Sequence, residues 1–293
     1  MNLVVGATGA LGGMVARQLL ERGRPVRILV RPGSDYRDLA ERGAEPAEGD
    51  LKDRASLDRA CAGVATVVTT ANSAQRGGED TPQTVDLEGN RNLVEAAKNA
   101  GVQHFVFVSA LGAGEGSPSE FMRAKGATER ALRESGLPFT ILAPNLFAEV
   151  WLPAVVGSQV RAGEPVTLVG EGRRRHTFVS LSDVAAFAVA SVDNPDARNQ
   201  HVVIGGPEAL SWRDVVAMHE RVLGREVPVR TVAPGEPVPG LPPTMAQLLA
   251  ILETYDSPIP MEDTARAYGV QLTPLEEVVR RTTGTAVPAG GAR

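Results

Sequence analysis

Three glycines, each three residues from the next, give the clearest chemical signal in the chain. Gly6, Gly9 and Gly12 occur in VVGATGALGG, between an apolar run and an amphipathic stretch. Glycine permits a sharp exit from a strand and leaves no Cβ to obstruct a ligand. The amides that open the following helix favour an anion. The motif predicts a site for a dinucleotide pyrophosphate, and the alternative is a purely structural turn.

The residues after the next two predicted strands bear on which dinucleotide binds. In RILVRPGSD, Arg31 comes first after the strand, and its guanidinium can bind a 2′-phosphate. A carboxylate there would bind the ribose 2′-hydroxyl of NAD instead, and Asp35 is a competing candidate for that role. Arg31 therefore favours NADP(H) over NAD(H). Asp50, in EGDLKD, either contacts the adenine amine or caps a helix.

A lysine on an apolar helix face is the next candidate. In the segment around SEFMRAKGATER, Ser117 is the predicted N-cap and Glu120 completes a capping box. Phe121 and Lys125 lie four residues apart and therefore on one face. A buried ammonium is costly, so Lys125 either extends to water or meets a polar partner. The hydroxyls of a cofactor ribose would supply that partner.

These residues are positioned by alternating strands and helices. Apolar runs predict strands at 2–5, 26–30, 45–48, 64–70, 104–109 and 139–143. Helical patterns lie at about 11–22, 36–42, 56–61 and 84–100, and around Lys125. Strands that are apolar throughout and separated by helices predict an α/β fold with a doubly wound parallel (Rossmann) sheet.

The second half lacks this regular alternation, which predicts a small C-terminal domain over the mouth of the sheet; that it is a substrate-binding domain is what the family resemblance given below implies. The NADP-binding Rossmann domain is predicted at 1–150 plus about 177–205, the small domain at about 151–176 plus 206–284, and a disordered tail at 285–293. Within the small domain, Ser211 and Gly224 bound one predicted helix.

Composition narrows the class of protein. The net charge of −5 and pI of about 5.5 predict neither a nucleic-acid nor a membrane partner. The absence of a leader and of a long apolar run predicts a cytoplasmic protein. The single cysteine, Cys61, excludes an internal disulfide. Only Lys52, Lys98 and Lys125 among 30 basic residues are lysine, so one of them is a candidate for a role that arginine cannot fill, and the other two are expected to be ordinary surface residues.

Together these motifs resemble the short-chain dehydrogenase/reductase superfamily, in its atypical NmrA-like and isoflavone-reductase-like branch. The resemblance covers about residues 1–205, through GATGALGG, LVRPGS, GDLKD, VDLEGNRNLVEAAKNAGVQHFVFVSALGAG, GLPFTILAPNLF and FVSLSDVA. It implies a seven-stranded parallel sheet and a substrate pocket formed by the C-terminal domain. Members of this branch are NADPH-dependent reductases of quinones, enones and ethers, alongside non-catalytic cofactor sensors.

The resemblance also assigns roles to individual positions. The implied cofactor-binding residues are Gly6, Thr8, Gly9, Ala10, Leu11, Gly12, Arg31, Asp50, Leu51, Thr70, Ala71, Asn72, Ser109, Lys125, Pro144, Asn145 and Phe147. Ser109 and Lys125 match the catalytic serine and lysine as well. Phe121 occupies the place of the superfamily's catalytic tyrosine, which is the main departure from the pattern.

Phe121 has no ionisable proton, and this limits the reactions that the site can support. General acid catalysis contributes about 10²–10⁴-fold, so its loss is severe for an unactivated ketone. A quinone or conjugated enone needs it less, because Lys125, Ser109 or water could protonate the product. The first hypothesis is therefore an NADPH-dependent reductase that transfers hydride to a small, apolar, conjugated acceptor.

Two alternatives remain open: a non-catalytic NADP(H)-sensing regulatory protein, and an assembly factor that keeps a vestigial nucleotide fold. His176 is a further candidate proton donor, or a residue at a strand edge. No His/Cys/Asp cluster has metal-ligand spacing, so no metal site is predicted. The sequence leaves open a homodimer or a regulatory protein partner.

Overall fold

The computed structural model describes residues 1–74 and 76–284, so the predicted disordered tail at 285–293 lies outside the described residues. The chain forms two compact units. Unit 1 comprises Met1–Pro144, Ser182–Ile204 and Arg266–Val270. Unit 2 comprises Asn145–Leu181, Gly205–Ala265 and the described residues from Gln271 onwards.

These boundaries differ from the predicted ones at 150 and 177. The chain enters unit 2 at Asn145 and returns to unit 1 at Ser182. The reason is strand pairing: Leu146–Phe147 pairs with His176–Val179 in a small sheet of unit 2, and neither strand joins the large sheet.

Unit 1 is built on a seven-stranded parallel sheet. Its strands are β1 (Asn2–Val5), β2 (Val26–Val30), β3 (Glu45–Glu48), β4 (Thr66–Thr69), β5 (His104–Val108), β6 (Phe139–Pro144) and β10 (Gln200–Ile204). Their order across the sheet is β10-β6-β5-β4-β1-β2-β3, which is the predicted doubly wound arrangement. The order reverses between β1 and β4, and the carboxyl ends of the strands at such a point form the ligand crevice of this fold.

Helices connect these strands as crossovers. They are α1 (Ala10–Glu21), α2 (Arg37–Glu41), α3 (Arg54–Cys61), α4 (Asn90–Asn99), α5 (Glu120–Glu134) and α8 (Leu181–Asp193). All residues of β1, β4 and β5 are buried, so these central strands are covered on both faces as their apolar sequences predict.

The predicted helix over 84–100 is divided into two parts. Pro82–Gly89 forms a π-helical segment, and α4 follows without a break. Side chains satisfy carbonyls of the wider turn: Asn90 Nδ2 donates to Val85 O at 3.0 Å, and Thr128 Oγ1 donates to Asp86 O at 2.7 Å. Such segments are rare and often lie at functional sites.

The helix that carries Lys125 begins later than predicted. Its N-cap is Ser119 rather than Ser117, and the expected capping box is absent because Glu120 is the first helical residue. The predicted C-terminal end is confirmed, since Gly136 follows the cap with a φ of +80°.

Unit 2 has its own core and two small sheets. Its strands are β7 (Leu146–Phe147), β8 (Val166–Val169), β9 (His176–Val179), β11 (Ala209–Leu210) and β12 (Val229–Val232). Its helices are α6 (Ala148–Leu152), α7 (Ser158–Ala162), α9 (Trp212–Leu223), α10 (Pro243–Leu252), α12 (Leu275–Thr283) and the first part of α11 (Glu262–Tyr268). Helix α9 has the predicted bounds, with Ser211 as N-cap and Gly224 as left-handed C-cap. Within the described part of the chain, no helix combines the length and the hydropathy needed to cross a bilayer.

Candidate functional site

A cavity lies at the carboxyl ends of β1, β2, β3 and β4, where the fold predicts a nucleotide. Seven of the predicted cofactor residues line it together: Gly6, Thr8, Arg31, Asp50, Leu51, Ala71 and Asn72. Arg76 and Asp80, which the sequence did not single out, line it as well. The structure therefore brings the glycine turn and the predicted 2′-phosphate residue to one cavity.

The glycine turn at the base of this cavity has no space for side chains. Gly6 has a φ of +87°, and a Cβ on Gly12 would lie 2.2 Å from the Gly6 carbonyl oxygen. The N-cap Gly9 offers no side chain to the first turn of α1, whose amides have no acceptor within the helix. The turn thus has the form that a diphosphate needs, and diphosphate binding there stays a prediction.

Thr70 supports the turn from the neighbouring strand. Its Oγ1 donates to the Val5 carbonyl at 3.3 Å, and it would lie 2.7 Å from a Cβ on Gly6 or on Gly12. Thr70 is buried and does not line the cavity, so in this structure it packs the glycine turn.

A polar groove lies on the other side of the glycine turn. It is lined by Thr8, Gly9 and Ala10 together with residues of α1 and of the segment that leads into α2. Asp35, the competing candidate for a ribose hydroxyl, belongs to this groove and forms an exposed ion pair with Arg37 at 2.8 Å. Asp35 and Arg31 therefore line different depressions.

The question of which aspartate caps the helix after β3 is settled by hydrogen bonds. Asp53 is the N-cap of α3 and accepts from Ala55 N at 3.0 Å. Asp50 instead accepts from the backbone amide of Lys52 at 2.8 Å and lines the cavity beside Leu51. A contact from Asp50 to adenine stays a prediction.

Arg31 meets a carboxylate that the sequence did not indicate. Its Nη1 donates to Asp80 Oδ2 at 2.7 Å. Arg76 contacts the same oxygen at 3.3 Å, and Lys52 Nζ contacts the other oxygen at 2.9 Å. The hydrogen bond from Lys52, followed by the one from Arg31, outweighs partial burial and lowers the pKa of Asp80.

Lys125 is buried, with only 2% of its surface exposed, and it does not extend to water. Its Nζ donates to the Val108 carbonyl at 3.0 Å and lies 3.5 Å from Asp86 Oδ1. The rings of Phe107 and Phe121 face the same ammonium, at 4.8 and 5.5 Å from their centroids. Burial lowers the pKa of Lys125, and the charge of Asp86 opposes this shift.

Asp86, in the π-helical segment, is the partner that sequence reasoning missed. It is fully buried, and its Oδ2 accepts from the amide and the hydroxyl of Ser73, at 3.0 and 2.6 Å. Its Oδ1 accepts no hydrogen bond and has the Lys125 ammonium as its cation. The polar partner expected for Lys125 is thus a protein carboxylate in this structure.

Ser109 also has a protein partner. Its hydroxyl donates to Glu129 Oε1 at 2.5 Å, and Glu129 Oε2 contacts Arg133 at 3.0 Å and His201 at 3.5 Å. Neither Ser109 nor Lys125 lines the cavity of the glycine turn. Their catalytic roles stay predictions.

Three of the remaining predicted residues lie where the chain passes from unit 1 into unit 2. In unit 1, Pro144 ends β6. In unit 2, Asn145 Nδ2 donates to Thr177 Oγ1 and Ser257 Oγ, both at 3.0 Å. Phe147 ends β7 and is the N-cap of α6, while Leu11 and Gly12 belong to the first turn of α1 in unit 1.

His176 is a buried member of a hydrogen-bond network in unit 2. Its Nδ1 is 2.7 Å from Ser257 Oγ, and its Nε2 is 3.1 Å from the Leu252 carbonyl. Both ring nitrogens are therefore engaged, and burial lowers the pKa of the ring. This geometry is that of a structural residue at the first position of β9.

The family that matches this chain binds the class of cofactor predicted for the cavity. The model of a family described as NAD(P)H-binding matches residues 6–195. An NAD(P)H azoreductase of Xenophilus azovorans is 35% identical over 234 residues, covering 80% of this chain and 77% of the relative. A photosystem II assembly factor Ycf39 of Trieres chinensis is 28% identical over 235 residues, covering 78% and 71%.

Solved structures give the same fold. The NADPH complex of an Escherichia coli NADPH-dependent quinone oxidoreductase superposes with a TM-score of 0.80 at 24% identity, covering 96% of this chain and 99% of that one. Its sheet and the seven-stranded parallel sheet described above share the Rossmann-like architecture. With a matching glycine turn, cavity and family model, the chain belongs to the NAD(P)H-binding family, which confirms the superfamily predicted from its motifs.

Proposed function

We propose that this protein is an NADPH-dependent reductase that transfers hydride to a small, apolar, conjugated acceptor such as a quinone or an enone. The family supports the cofactor class, and the similarity to an azoreductase supports a reductase. Azo compounds, quinones and enones are all conjugated acceptors whose product carries the added electron pair on an electronegative atom or a delocalised system.

The observation that carries the choice of acceptor is the phenyl ring of Phe121. It stands where the superfamily has its phenolic acid, and it faces the Lys125 ammonium at 5.5 Å. Lys125 itself is held by Asp86 and the Val108 carbonyl, and the Ser109 hydroxyl donates a hydrogen bond to Glu129. With these groups engaged, an acceptor that water can protonate after hydride transfer fits better than a plain ketone.

The preference for NADPH rests on charge around the cavity. Arg31 and Arg76 both line it, and their guanidinium groups are suited to a 2′-phosphate. When bound, the nicotinamide cofactor would supply the hydride. The residues of this chain would hold its diphosphate at Gly6, Gly9 and Gly12.

Purified protein tests the proposal with a panel of quinones, enones and plain ketones. We expect NADPH oxidation with the first two classes and little with ketones, together with deuterium transfer from 4-deuterated NADPH to an enone product. The control is Gly12→Ala, whose Cβ would meet the Gly6 carbonyl, and we expect it to lose cofactor binding. Gly77→Ala, with no atom within 4 Å of the new Cβ, is its matched control. Binding of NADPH with no oxidation on any acceptor would contradict the reductase.

A second candidate function is a non-catalytic NADP(H)-binding protein that acts on a protein partner. Two observations favour it: the enclosed Lys125 and Ser109, and the similarity to an assembly factor. It predicts tight binding, no turnover, and a change in oligomeric or conformational state that differs between NADP and NADPH. Light scattering and hydrogen exchange with each form of the coenzyme would distinguish it from the reductase.

A further inference from the structure

One carboxylate at the rim of the cavity collects three cations. Asp80 Oδ2 lies 2.7 Å from the Arg31 guanidinium and 3.3 Å from that of Arg76, and Asp80 Oδ1 lies 2.9 Å from the Lys52 ammonium. The side chain of Asp80 is only 12% exposed, whereas that of Arg31 is 42% exposed. The cations therefore keep a solvent-facing side from which another anion can approach.

The two arginines and the lysine differ in position. Arg31, Arg76 and Asp80 line the cavity of the glycine turn, whereas Lys52 does not. The oxygen of Asp80 that Lys52 contacts is not the one that the arginines share. Lys52 can therefore keep Asp80 while the arginines are released.

Two further carboxylates face Lys52 and reduce the local positive charge. Asp50 and Glu79 both interact with its ammonium electrostatically. Asp50 also accepts a hydrogen bond from the Lys52 amide at 2.8 Å. Asp80 is thus the carboxylate that contacts both Arg31 and Arg76.

The backbone next to Asp80 is fixed. Thr81 caps the π-helical segment: its hydroxyl accepts from Thr84 N at 3.1 Å, and Thr84 Oγ1 accepts from Thr81 N at 3.0 Å. A change of partner at Asp80 therefore requires a rotation of its side chain and no rearrangement of this segment.

We propose that Asp80 limits the preference for NADP(H), because its carboxylate occupies the arginine pair to which the 2′-phosphate of NADP(H) would bind. The phosphate competes with Asp80 for Arg31 and Arg76, and Lys52 retains the displaced carboxylate. NAD(H), which has no 2′-phosphate, leaves the contacts of Asp80 with both arginines in place. This inference rests on the proposed cofactor function, and it makes the preference for NADP(H) smaller than the two arginines alone would give.

Titration calorimetry of the full chain with NADP and with NAD tests the inference. Asp80→Asn and Asp80→Ala remove the competing charge, so we expect NADP to bind about tenfold more tightly, the scale of one charge-assisted hydrogen bond. The affinity for NAD should stay within about twofold, because NAD carries no group for these arginines. Asp58→Asn, which removes an exposed partner of Arg54, is the matched control and should change neither affinity.

Two further variants test the roles of Arg76 and Lys52 separately. Arg76→Gln should weaken NADP about tenfold and leave NAD unchanged, since it removes one guanidinium from the phosphate. Lys52→Met should also weaken NADP selectively, because Asp80 then stays on the arginines. Equal effects on both coenzymes, or weaker NADP binding in both Asp80 variants, would overturn the inference while the cofactor function stands. If the unchanged protein binds neither coenzyme, the proposed function fails first and the inference falls with it.

Discussion

Asp80, just before the π-helical segment, and Asp86, within it, meet their cations in opposite ways. Asp86 is fully buried and faces a single ammonium, whereas Asp80 lies at a cavity rim and faces three cations. A buried charge that loses its partner has no water to replace it, whereas a pair at the surface contributes little net energy. The first arrangement is suited to holding elements together, and the second to exchanging one anion for another.

The sequence predicts that Lys125 and Arg31 both bind the cofactor, and the two aspartates place these cations in different surroundings. Lys125 is predicted to meet the cofactor, which stays a prediction, and the structure gives its ammonium two protein partners. Arg31 is predicted to bind the 2′-phosphate, and in this structure it holds the Asp80 carboxylate at the rim of the cavity. The following changes test whether the buried pair is structural and the rim is exchangeable.

The largest effect is expected for Lys125→Met. It leaves the Asp86 carboxylate buried without a counter-ion, so the free energy of unfolding should fall by about 3–5 kcal/mol. Urea denaturation followed by circular dichroism measures this, with Lys98→Met, at an exposed lysine, as the matched control. Adding Asp86→Asn to Lys125→Met should recover part of the loss, because the uncompensated charge is then removed.

The same variants test the catalytic prediction for Lys125. A Lys125→Met protein of unchanged stability that binds NADPH but no longer oxidises it would identify a chemical role and contradict the structural one. Stability and turnover must therefore be measured on the same preparation.

A smaller loss is expected for Thr128→Val, which keeps the shape of a fully buried residue. Its hydroxyl donates to the Asp86 carbonyl at 2.7 Å, and Asn90 Nδ2 is a second, longer donor at 3.3 Å. Removing the shorter bond should lower the free energy of unfolding by about 1–2 kcal/mol. Thr231→Val, at an exposed strand residue, should have almost no effect. A loss no larger than that of Thr231→Val would show that the π-helical segment does not depend on this bond.

At the rim, Lys52→Met should change stability far less. Its side chain is one third exposed and its ammonium meets a carboxylate that keeps two arginines, so we expect a loss of at most about 1 kcal/mol. Denaturation in low and high salt measures the difference, and salt should reduce it because exposed pairs are screened. A loss as large as that of Lys125→Met would remove the distinction between rim and core.

The parts of the molecule that could be predicted from the sequence are those set by local pattern. The glycine turn is predicted from Gly6, Gly9 and Gly12 because they lie between a strand and a helix. The parallel sheet is predicted from strands that are apolar throughout. The order of the strands and the placing of Arg31 beside that turn follow from the fold itself.

The partners of the charged groups could not be predicted in this way. Asp86 and Lys125 are 39 residues apart, and Asp86 lies in a π-helical turn that reads as ordinary helix. Asp80 lies in a segment without periodicity, and nothing in its neighbours indicates three cations. The scarcity of lysine was the one available signal, because two of the three, Lys52 and Lys125, are the lysines bound to these aspartates.

Because the chain has only three lysines, the ionisation of each ammonium group can be measured separately, and the difference between them is the smallest effect expected. With lysine labelled at ¹³Cε, three NMR signals report the three ammonium groups. Burial lowers the pKa of Lys125 from 10.5, whereas the hydrogen bond to Asp80 raises that of Lys52 above 10.5. The Lys125 signal should therefore titrate first as the pH rises.

The two shifts have opposite consequences for stability. Between the lowered pKa of Lys125 and 10.5 the unfolded chain binds more protons at this residue, so its contribution to the free energy of unfolding increases as the pH rises through that window. The contribution of Lys52 is fully present below 10.5 and is lost as the pH rises through its raised pKa. If the two signals titrated together, the ammonium groups would share one kind of environment, and the contrast between Asp80 and Asp86 would not extend to the cations they bind.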